Sequence, residues 1–344
     1  MPKSKGRNVG YKIVLMVAVL SLTFLLTPMP AYANHIPYAA GDVFAGVGAG
    51  KVNHYSSTGV LIEVLDTTTG SAEQTGMCFD ASGNLYTTDW TAGKVSKFDN
   101  MGGLLVASWG GPFSSHPETC VVDNAGNIYV GEVDGLNKIR KFDSAGTLLD
   151  SWSPAGQSRG TDWMDLSADQ CTMLYTSEGS LVKRFNVCTN SQLADFASGL
   201  PAPCYALRIR TNGEVLVACS SAVKRLDATG AVIQTYTTAS IGVLSSFLFA
   251  MNLDPDGTTF WTGAYGTGAI RRVDIASGAV VTSFTATIVG SSMAGLAIFG
   301  EIVVGCPTCG VPVPEFGMAA SLMTALATIP IIGLRQLRSR KTAA

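Results

Sequence analysis

Short runs of β-branched and aromatic residues punctuate the middle of the chain, and between them lie small polar clusters centred on Gly, Asn and Asp. TCVVD and NIYVGE, for example, flank Asp123-Asn124-Ala125-Gly126. Two strand-like runs joined by such residues predict a β-hairpin. The same polar cluster recurs at Asp80-Ala81-Ser82-Gly83, Ser167-Ala168-Asp169-Gln170, Arg210-Thr211-Asn212-Gly213 and Asp254-Pro255-Asp256-Gly257. The first residues of successive clusters are 43, 44, 43 and 44 apart. A second marker follows each hairpin: Lys97-Phe98-Asp99, Lys141-Phe142-Asp143, Arg184-Phe185-Asn186, Arg225-Leu226-Asp227 and Arg272-Val273-Asp274, with an earlier copy at His54-Tyr55-Ser56. The residues leading into it (KVSKF, KIRKF, AVKRL) alternate with period two, as a half-exposed strand does. A Gly-containing turn and a fourth run, such as LLDSW or VVTSF, complete each repeat.

Four strands per repeat of this length, in tandem, predict an all-β six-bladed β-propeller of four-stranded blades. A single blade cannot bury both faces of its sheet, so blades must stack side by side. Five whole repeats run from about Thr75 to Thr287. Gly41 to Thr67 supplies the later strands of a sixth, and Ala294 to Val304 its first strand or two. Joining the two ends closes the ring and removes its free edges. The rival architecture, an open solenoid, does not account for the split terminal repeat.

The segments Asp80-Ala81-Ser82-Gly83-Asn84-Leu85-Tyr86 and Asp123-Asn124-Ala125-Gly126-Asn127-Ile128-Tyr129, each followed by Lys-Phe-Asp, resemble NHL-type repeats. They are also similar to streptogramin lyase and gluconolactonase-like propellers. The resemblance implies the fold. It implies no single activity, because such propellers serve as binders, scaffolds and enzymes.

Both ends of the chain differ from the repeats. A basic start (Lys3, Lys5, Arg7, Lys12), an apolar run and Ala31-Tyr32-Ala33 predict a secretory signal peptide over 1–33. The propeller is expected over 34–305 and a linker over 306–316. An apolar segment with a basic end (Arg335, Arg338, Arg340, Lys341) fills 317–344, and the basic end marks the cytoplasmic side. Pro314-Glu315-Phe316-Gly317, an apolar span and a basic cluster together resemble the archaeal PEFG-CTERM sorting signal. That resemblance implies processing by an archaeosortase-type membrane protease and an extracellular, cell-surface-attached domain. A hydrophobic helix retained in the membrane is the plainer alternative, and it too leaves the domain outside.

The 23 basic and 25 acidic residues of the chain nearly cancel. The two termini hold four bases each and no acid, so the residues between carry 15 bases against 25 acids. Such an acidic domain has no electrostatic means of gripping a phosphate backbone, which excludes nucleic acid as an expected partner. The expected partners are a surface protein, a glycan or a small ligand.

An oxidising compartment would permit disulfides among the eight cysteines. Cys171 and Cys188 fall on one edge of their blade, and Cys204 and Cys219 sit opposite each other across a hairpin, so both pairs are expected bridges. Cys78 and Cys120 lie two and three residues before their turn Asp, so their side chains should point to different faces, as buried free thiols. Cys306-Pro307-Thr308-Cys309 is a lone pair without the further ligands zinc needs, and reads as a local disulfide or surface thiols.

Candidate chemistry is sparse. Gly46-Val47-Gly48-Ala49-Gly50-Lys51 lacks the first Gly and the final Ser/Thr of a phosphate loop and aligns with a strand turn. Asp254-Pro255-Asp256-Gly257 aligns with the other hairpin turns rather than with a calcium loop. His54 takes a slot held elsewhere by Lys or Arg and is expected to be solvated on a third strand. His35 is near the expected new N-terminus, and His116 lies in a loop leading to an inner strand. Streptogramin lyases use several histidines, a pattern this chain departs from.

Carboxylates carry more. Asp89, Glu132 and Glu178 fall at what read as matching places after second strands and are the expected ligands if Ca²⁺ or Mg²⁺ binds. Glu118 and Asp162 precede first strands, on the same face of the ring, with Trp90, Trp163 and Tyr205 near enough to stack on a ligand. The expected function is a non-enzymatic surface binding or scaffold module. The alternative is a metal-dependent lyase or lactonase-type hydrolase at the central channel.

Overall fold

The computed structural model describes residues 35–70, 73–244 and 246–307. The expected signal peptide, the PEFG residues Pro314 to Gly317 and the apolar tail lie outside them. Six four-stranded antiparallel sheets surround a central channel, and among the described residues there is no helix. Blade 1 comprises Gln74–Phe79, Leu85–Asp89, Lys94–Phe98 and Leu104–Val106. Blade 2 comprises Pro117–Val122, Ile128–Glu132, Ile139–Phe142 and Leu148–Trp152. Blade 3 comprises Met164–Leu166, Thr172–Tyr175, Val182–Asn186 and Ser191–Ala197. Blade 4 comprises Cys204–Ile209, Val215–Cys219, Ala222–Leu226 and Val232–Thr237. Blade 5 comprises Leu248–Leu253, Thr259–Ala264, Ala269–Asp274 and Val280–Thr285.

The sixth sheet is split as the repeat count requires. Gly295–Ile298 is its inner strand, and Val43–Gly48, Lys51–Tyr55 and Leu61–Asp66 follow outward. Val43 to Gly46 pair antiparallel with Ile298 to Gly295, so chain ends about 250 residues apart complete one sheet. This closure satisfies ladder groups that an open ring would leave exposed.

Burial grades outward. The first strands of blades 2 and 5 are buried throughout, whereas the fourth strands expose aliphatic residues such as Leu148, Leu149, Val280 and Val281. First strands converge so closely that some positions admit only glycine. A Cβ on Gly76 would stand 2.4 Å from the Glu118 carbonyl oxygen of the next blade. The hairpin turns are held by their leading Asp: Asp80 Oδ1 accepts from the N–H groups of Ser82 and Asn84, and Asp123 repeats this with Ala125 and Asn127. Asp254 and Asp256 are likewise engaged by Trp261, Arg272 and backbone N–H groups, as a turn requires.

Past Ile298 the chain crosses the turn end of the channel. Glu301 there accepts from Arg208 Nε (2.9 Å), Asn252 Nδ2 (2.8 Å) and the Leu253 N–H (2.5 Å). Gln170 Nε2 donates to the Gly305 carbonyl at 3.0 Å.

Cys171–Cys188 and Cys204–Cys219 are bridged. Cys78 and Cys120 are bridged too, which corrects the expectation of free thiols. The opposite facing inferred from their offsets is what brings them together. The outer face of one blade meets the opposite face of the next, so contact across the seam needs side chains of opposite direction. Cys306 is buried and disulfide-bonded rather than a surface thiol, and Cys309 lies outside the described residues.

His54 also departs from expectation. It is 0 % exposed, its Nε2 2.8 Å from Asp42 Oδ2 and its Nδ1 3.1 Å from Glu63 Oε1, with the ring stacked on Phe44. The segment before Gly41 folds back over this third strand and covers the slot that solvent reaches in other blades. His35 binds the second oxygen of Glu63 at 2.8 Å.

Candidate functional site at the channel mouth

The loops before first strands and after second strands gather at the end of the channel opposite the hairpin turns. They enclose a cup of about 380 Å³ lined by Glu73, Trp90, Glu118, Arg159, Glu178, Tyr205, Phe247, Phe249 and Tyr265. Backbone irregularity aims several of these side chains inward. The blade 2 register passes from Pro117↔Glu132 to Thr119↔Gly131, leaving Glu118 as the extra residue of a bulge. The first strands of blades 4 and 5 are bulged at corresponding places, at Tyr205-Ala206 and Phe249. A bulge re-aims a side chain that regular alternation would turn into the blade, and bulges are common beside binding sites.

Glu118, Asp162 and Glu178 each place a ligating oxygen within 4.8 Å of the others. Asp162 is 0 % exposed, and neither its carboxylate oxygens nor Oε2 of Glu118 meets a donor from the rest of the protein; the one hydrogen bond open to them is between the two carboxyls, when one is protonated. What these two carboxyls face is each other. Burial drives the Glu118 carboxyl up to about 8 against the pull of Arg159. Burial and then the charge of Glu118 push Asp162 well above the usual carboxylate range.

Glu178 stands at the rim in the left-handed backbone region, with φ 49°. Its Oε1 accepts from Arg159 Nη1 at 2.7 Å. Arg159 spends its other donors on Asp134, from Nη2 at 2.5 Å and Nε at 3.3 Å. Asp134 also holds His116 Nδ1 at 2.8 Å, and the His116 ring stacks on Trp90 with centroids 3.9 Å apart. The guanidinium lies 5.7 Å from the Trp90 ring. On the far wall Tyr205, Phe247, Phe249 and Tyr265 form one aromatic cluster with centroid separations of 4.8 to 5.3 Å between touching partners. Tyr265 donates its hydroxyl to Glu73.

The expected site residues divide. Glu118, Glu178, Trp90 and Tyr205 line the cup, and Asp162 lies buried behind it with an oxygen within 4.8 Å of both acids. Asp89 is buried among Thr69, Gln74 and the Ala92 N–H. Glu132 is buried and held by Ser114 and by Arg140 Nε at 2.8 Å. The reason lies in register. Phe79↔Leu85, Val122↔Ile128 and Leu166↔Met173 are the equivalent pairs beside the turns, and four residues on lie Asp89, Glu132 and Ser177, so Ser177 is the blade 3 counterpart of the two acids. Glu178 is one residue further on, out in the loop beyond the strand. Trp163 turns away from the cup; it is 1 % exposed, in the core, with the Arg208 guanidinium 5.7 Å from its ring.

Sequence reasoning did not single out Glu73, Arg159, Phe247, Phe249 or Tyr265. Their signal was positional: Trp90 N bonds Glu73 O, and Tyr265 N bonds Phe247 O, so these residues occupy the same two loop slots in blades 1 and 5. A second groove, of about 310 Å³, opens near Asp169, Arg184 and Arg210 between blades 3 and 4. Its acid Asp169 is already bound by Cys171 N and Thr172 N.

As a cation site the triad fits an oxygen-ligated ion such as Ca²⁺ or Mg²⁺ in donor type, and Glu118, Asp162 and Glu178 would hold it. No protein-family model and no curated protein matches the sequence. Solved structures show the fold. A chain of a nidogen/laminin complex superposes with a TM-score of 0.58 at 12 % identity, over 74 % of this chain and 97 % of that one. The WD40 propeller domain of Doa1 gives 0.55 at 14 %, over 78 % and 87 %. Virginiamycin B lyase from Staphylococcus aureus gives 0.52 at 15 %, over 70 % and 78 %. The chain is a six-bladed β-propeller, a fold that serves binding and scaffold modules, and one of these neighbours is a lyase.

Proposed function

We propose that the protein is an exported, surface-attached binding propeller whose ligand site is the cup at the channel mouth. One observation carries the reading: two buried carboxyls with no partner but each other lie beside an aromatic wall. A buried carboxyl pair with no further partner is costly, and a ligand that donates to it would offset that cost. Three disulfides support an oxidising compartment, in keeping with a signal peptide over 1–33 and with the PEFG motif at Pro314 to Gly317. The ligand would belong to a surface protein, a glycan or a small molecule of the exterior.

An array of glycans, peptides and amines probed with the purified protein tests the site. Binding should fall in both Glu178→Ala and Phe249→Ala while their folding is kept; binding unaffected by both would sink the assignment. Terminal sequencing and intact mass of the surface-associated protein test the export reading. A mature start at Asn34 and loss of residues after the PEFG motif are expected.

A metal-dependent hydrolase or lyase is the second reading, favoured by the oxygen spacing of the triad. Turnover of a lactone or ester that requires Mg²⁺ or Ca²⁺ and is lost in Glu178→Gln would establish it.

A further inference from the structure

Granting that the cup is a ligand site, we infer that it takes a primary ammonium group on an aliphatic stem, with the ammonium on Glu118, Asp162 and Glu178 and the stem along the aromatic wall. An ammonium nitrogen donates three hydrogen bonds at tetrahedral angles. Acceptors about 2.8 Å from such a nitrogen lie about 4.6 Å from one another. The three carboxyl groups offer oxygens within 4.8 Å of each other, and two of them, Glu118 and Asp162, are buried with no donor but each other.

A divalent ion would accept the same spacing, since oxygens on opposite sides of Ca²⁺ stand about 4.8 Å apart. The remainder of the cup separates the two occupants. Ca²⁺ takes roughly six to eight oxygens, yet above the triad stand Trp90, Tyr205, Phe247, Phe249 and Tyr265. A volume of about 380 Å³ with rings on its walls calls for a ligand that has an apolar body. Aromatic faces also attract an ammonium electrostatically and cover the methylenes next to it.

Charge agrees. Among the described residues that line the cup, Glu73, Glu118 and Glu178 stand with one cation, Arg159, and Asp162 lies beneath them. That guanidinium is tied to Asp134 and Glu178 at the rim and makes no hydrogen bond to the floor carboxyls. An incoming ammonium takes the place of the proton that burial holds on the floor carboxyls, and leaves the guanidinium where it is.

The same chemistry is offered by a free alkylamine and by a lysine side chain of another protein. Calorimetric titration of the purified protein distinguishes them. The probes are n-butylammonium, a single-lysine peptide, its Nε-acetylated form, tetramethylammonium, 1-butanol and CaCl₂, each repeated on Glu178→Gln and Asp162→Asn. Butylammonium and the lysine peptide should bind. Acetylation, or replacement of the ammonium by a hydroxyl, should weaken binding about tenfold or more, the scale of a charged hydrogen bond. Both variants should weaken it similarly while melting no lower than the wild type. A peptide tighter than butylammonium assigns a protein lysine, and the reverse assigns a free amine.

Butanol or tetramethylammonium binding as well as butylammonium would overturn the ammonium assignment and leave the cup an apolar or cation–π site. Ca²⁺ binding lost in the variants, without amine binding, would replace it with a metal site. Failure of every probe would also overturn it, and the array with Phe249→Ala then decides separately whether the cup binds anything.

Discussion

Asp162 and Glu118 face each other across the floor of the channel mouth, both almost wholly buried, and Asp162 meets no donor but the Glu118 carboxyl. Folding therefore opposes ionisation of the pair, since two carboxylates this close in a desolvated site repel. Replacing Asp162 by Asn removes a charge from this pair at nearly constant shape. The variant should be more stable than the wild type at pH 8 by about 1–3 kcal/mol, read by urea unfolding. A loss of stability would mean that the ionised carboxylate is structurally required.

The Glu118 carboxyl is raised to about 8 from 4.5 by burial. A raised folded value means that the folded protein binds the proton more tightly than the unfolded chain does. The resulting stabilisation is complete below about pH 4.5 and is lost as pH rises through about 8. Glu118→Gln, which cannot ionise, should lack this loss. The melting temperature of the variant relative to the wild type should therefore climb between pH 5 and 9; a constant difference would show that Glu118 titrates normally.

Glu178 holds φ 49°, a left-handed conformation that costs a non-glycine residue about 1 kcal/mol. Glu178→Gly relieves the backbone while removing the carboxylate from the rim. The variant should keep the wild-type melting temperature or exceed it, and should lose ligand binding. Stability falling together with binding would make Glu178 a structural residue, held in place for the ion pair with Arg159.

The bridge between Cys78 and Cys120 ties the inner strands of blades 1 and 2 across 42 residues. Replacing both by Ser should cost about 2–4 kcal/mol in equilibrium unfolding. Exchange of the Gly76 and Thr119 amides should accelerate more than that of blade 5.

His54 stands between Asp42 and Glu63 with no exposure, and both ring nitrogens point at carboxylate oxygens. His54→Ala takes one partner each from buried Asp42 and half-buried Glu63, which keep the Ala39 N–H and His35, and should cost about 1–3 kcal/mol. Because His54 lies in the closing blade, hydrogen exchange should rise first along Val43–Gly48. Uniform loss of protection around the ring would show instead that closure and the other blades unfold as one unit.

The architecture was legible because it is periodic. A repeat of 43 or 44 residues, turn residues at fixed offsets and alternation within each run specify strands, hairpins and the split sixth blade without any long-range information. The turn role of Asp254-Pro255-Asp256-Gly257 and the bridges Cys171–Cys188 and Cys204–Cys219 were accessible in the same way, since each lies within one blade. Contacts between blades were not. Cys78 with Cys120 depends on which faces meet at a seam, and His54 depends on a terminal segment folding back over one blade.

At the site, sequence by itself determined the face: acids and aromatics cluster in loops that a propeller must place at one end of its channel. It could not rank them, because loop position in the repeat is not side-chain direction. Asp89 and Glu132 sit one register step too deep and are consumed by local hydrogen bonds, whereas a bulge turns Glu118 inward and a loop carries Glu178 beyond its apparent alignment. Periodic pairing within a blade is set locally by the order of residues. Convergence of six blades on one axis is set by packing, and only that packing decided which carboxyls meet.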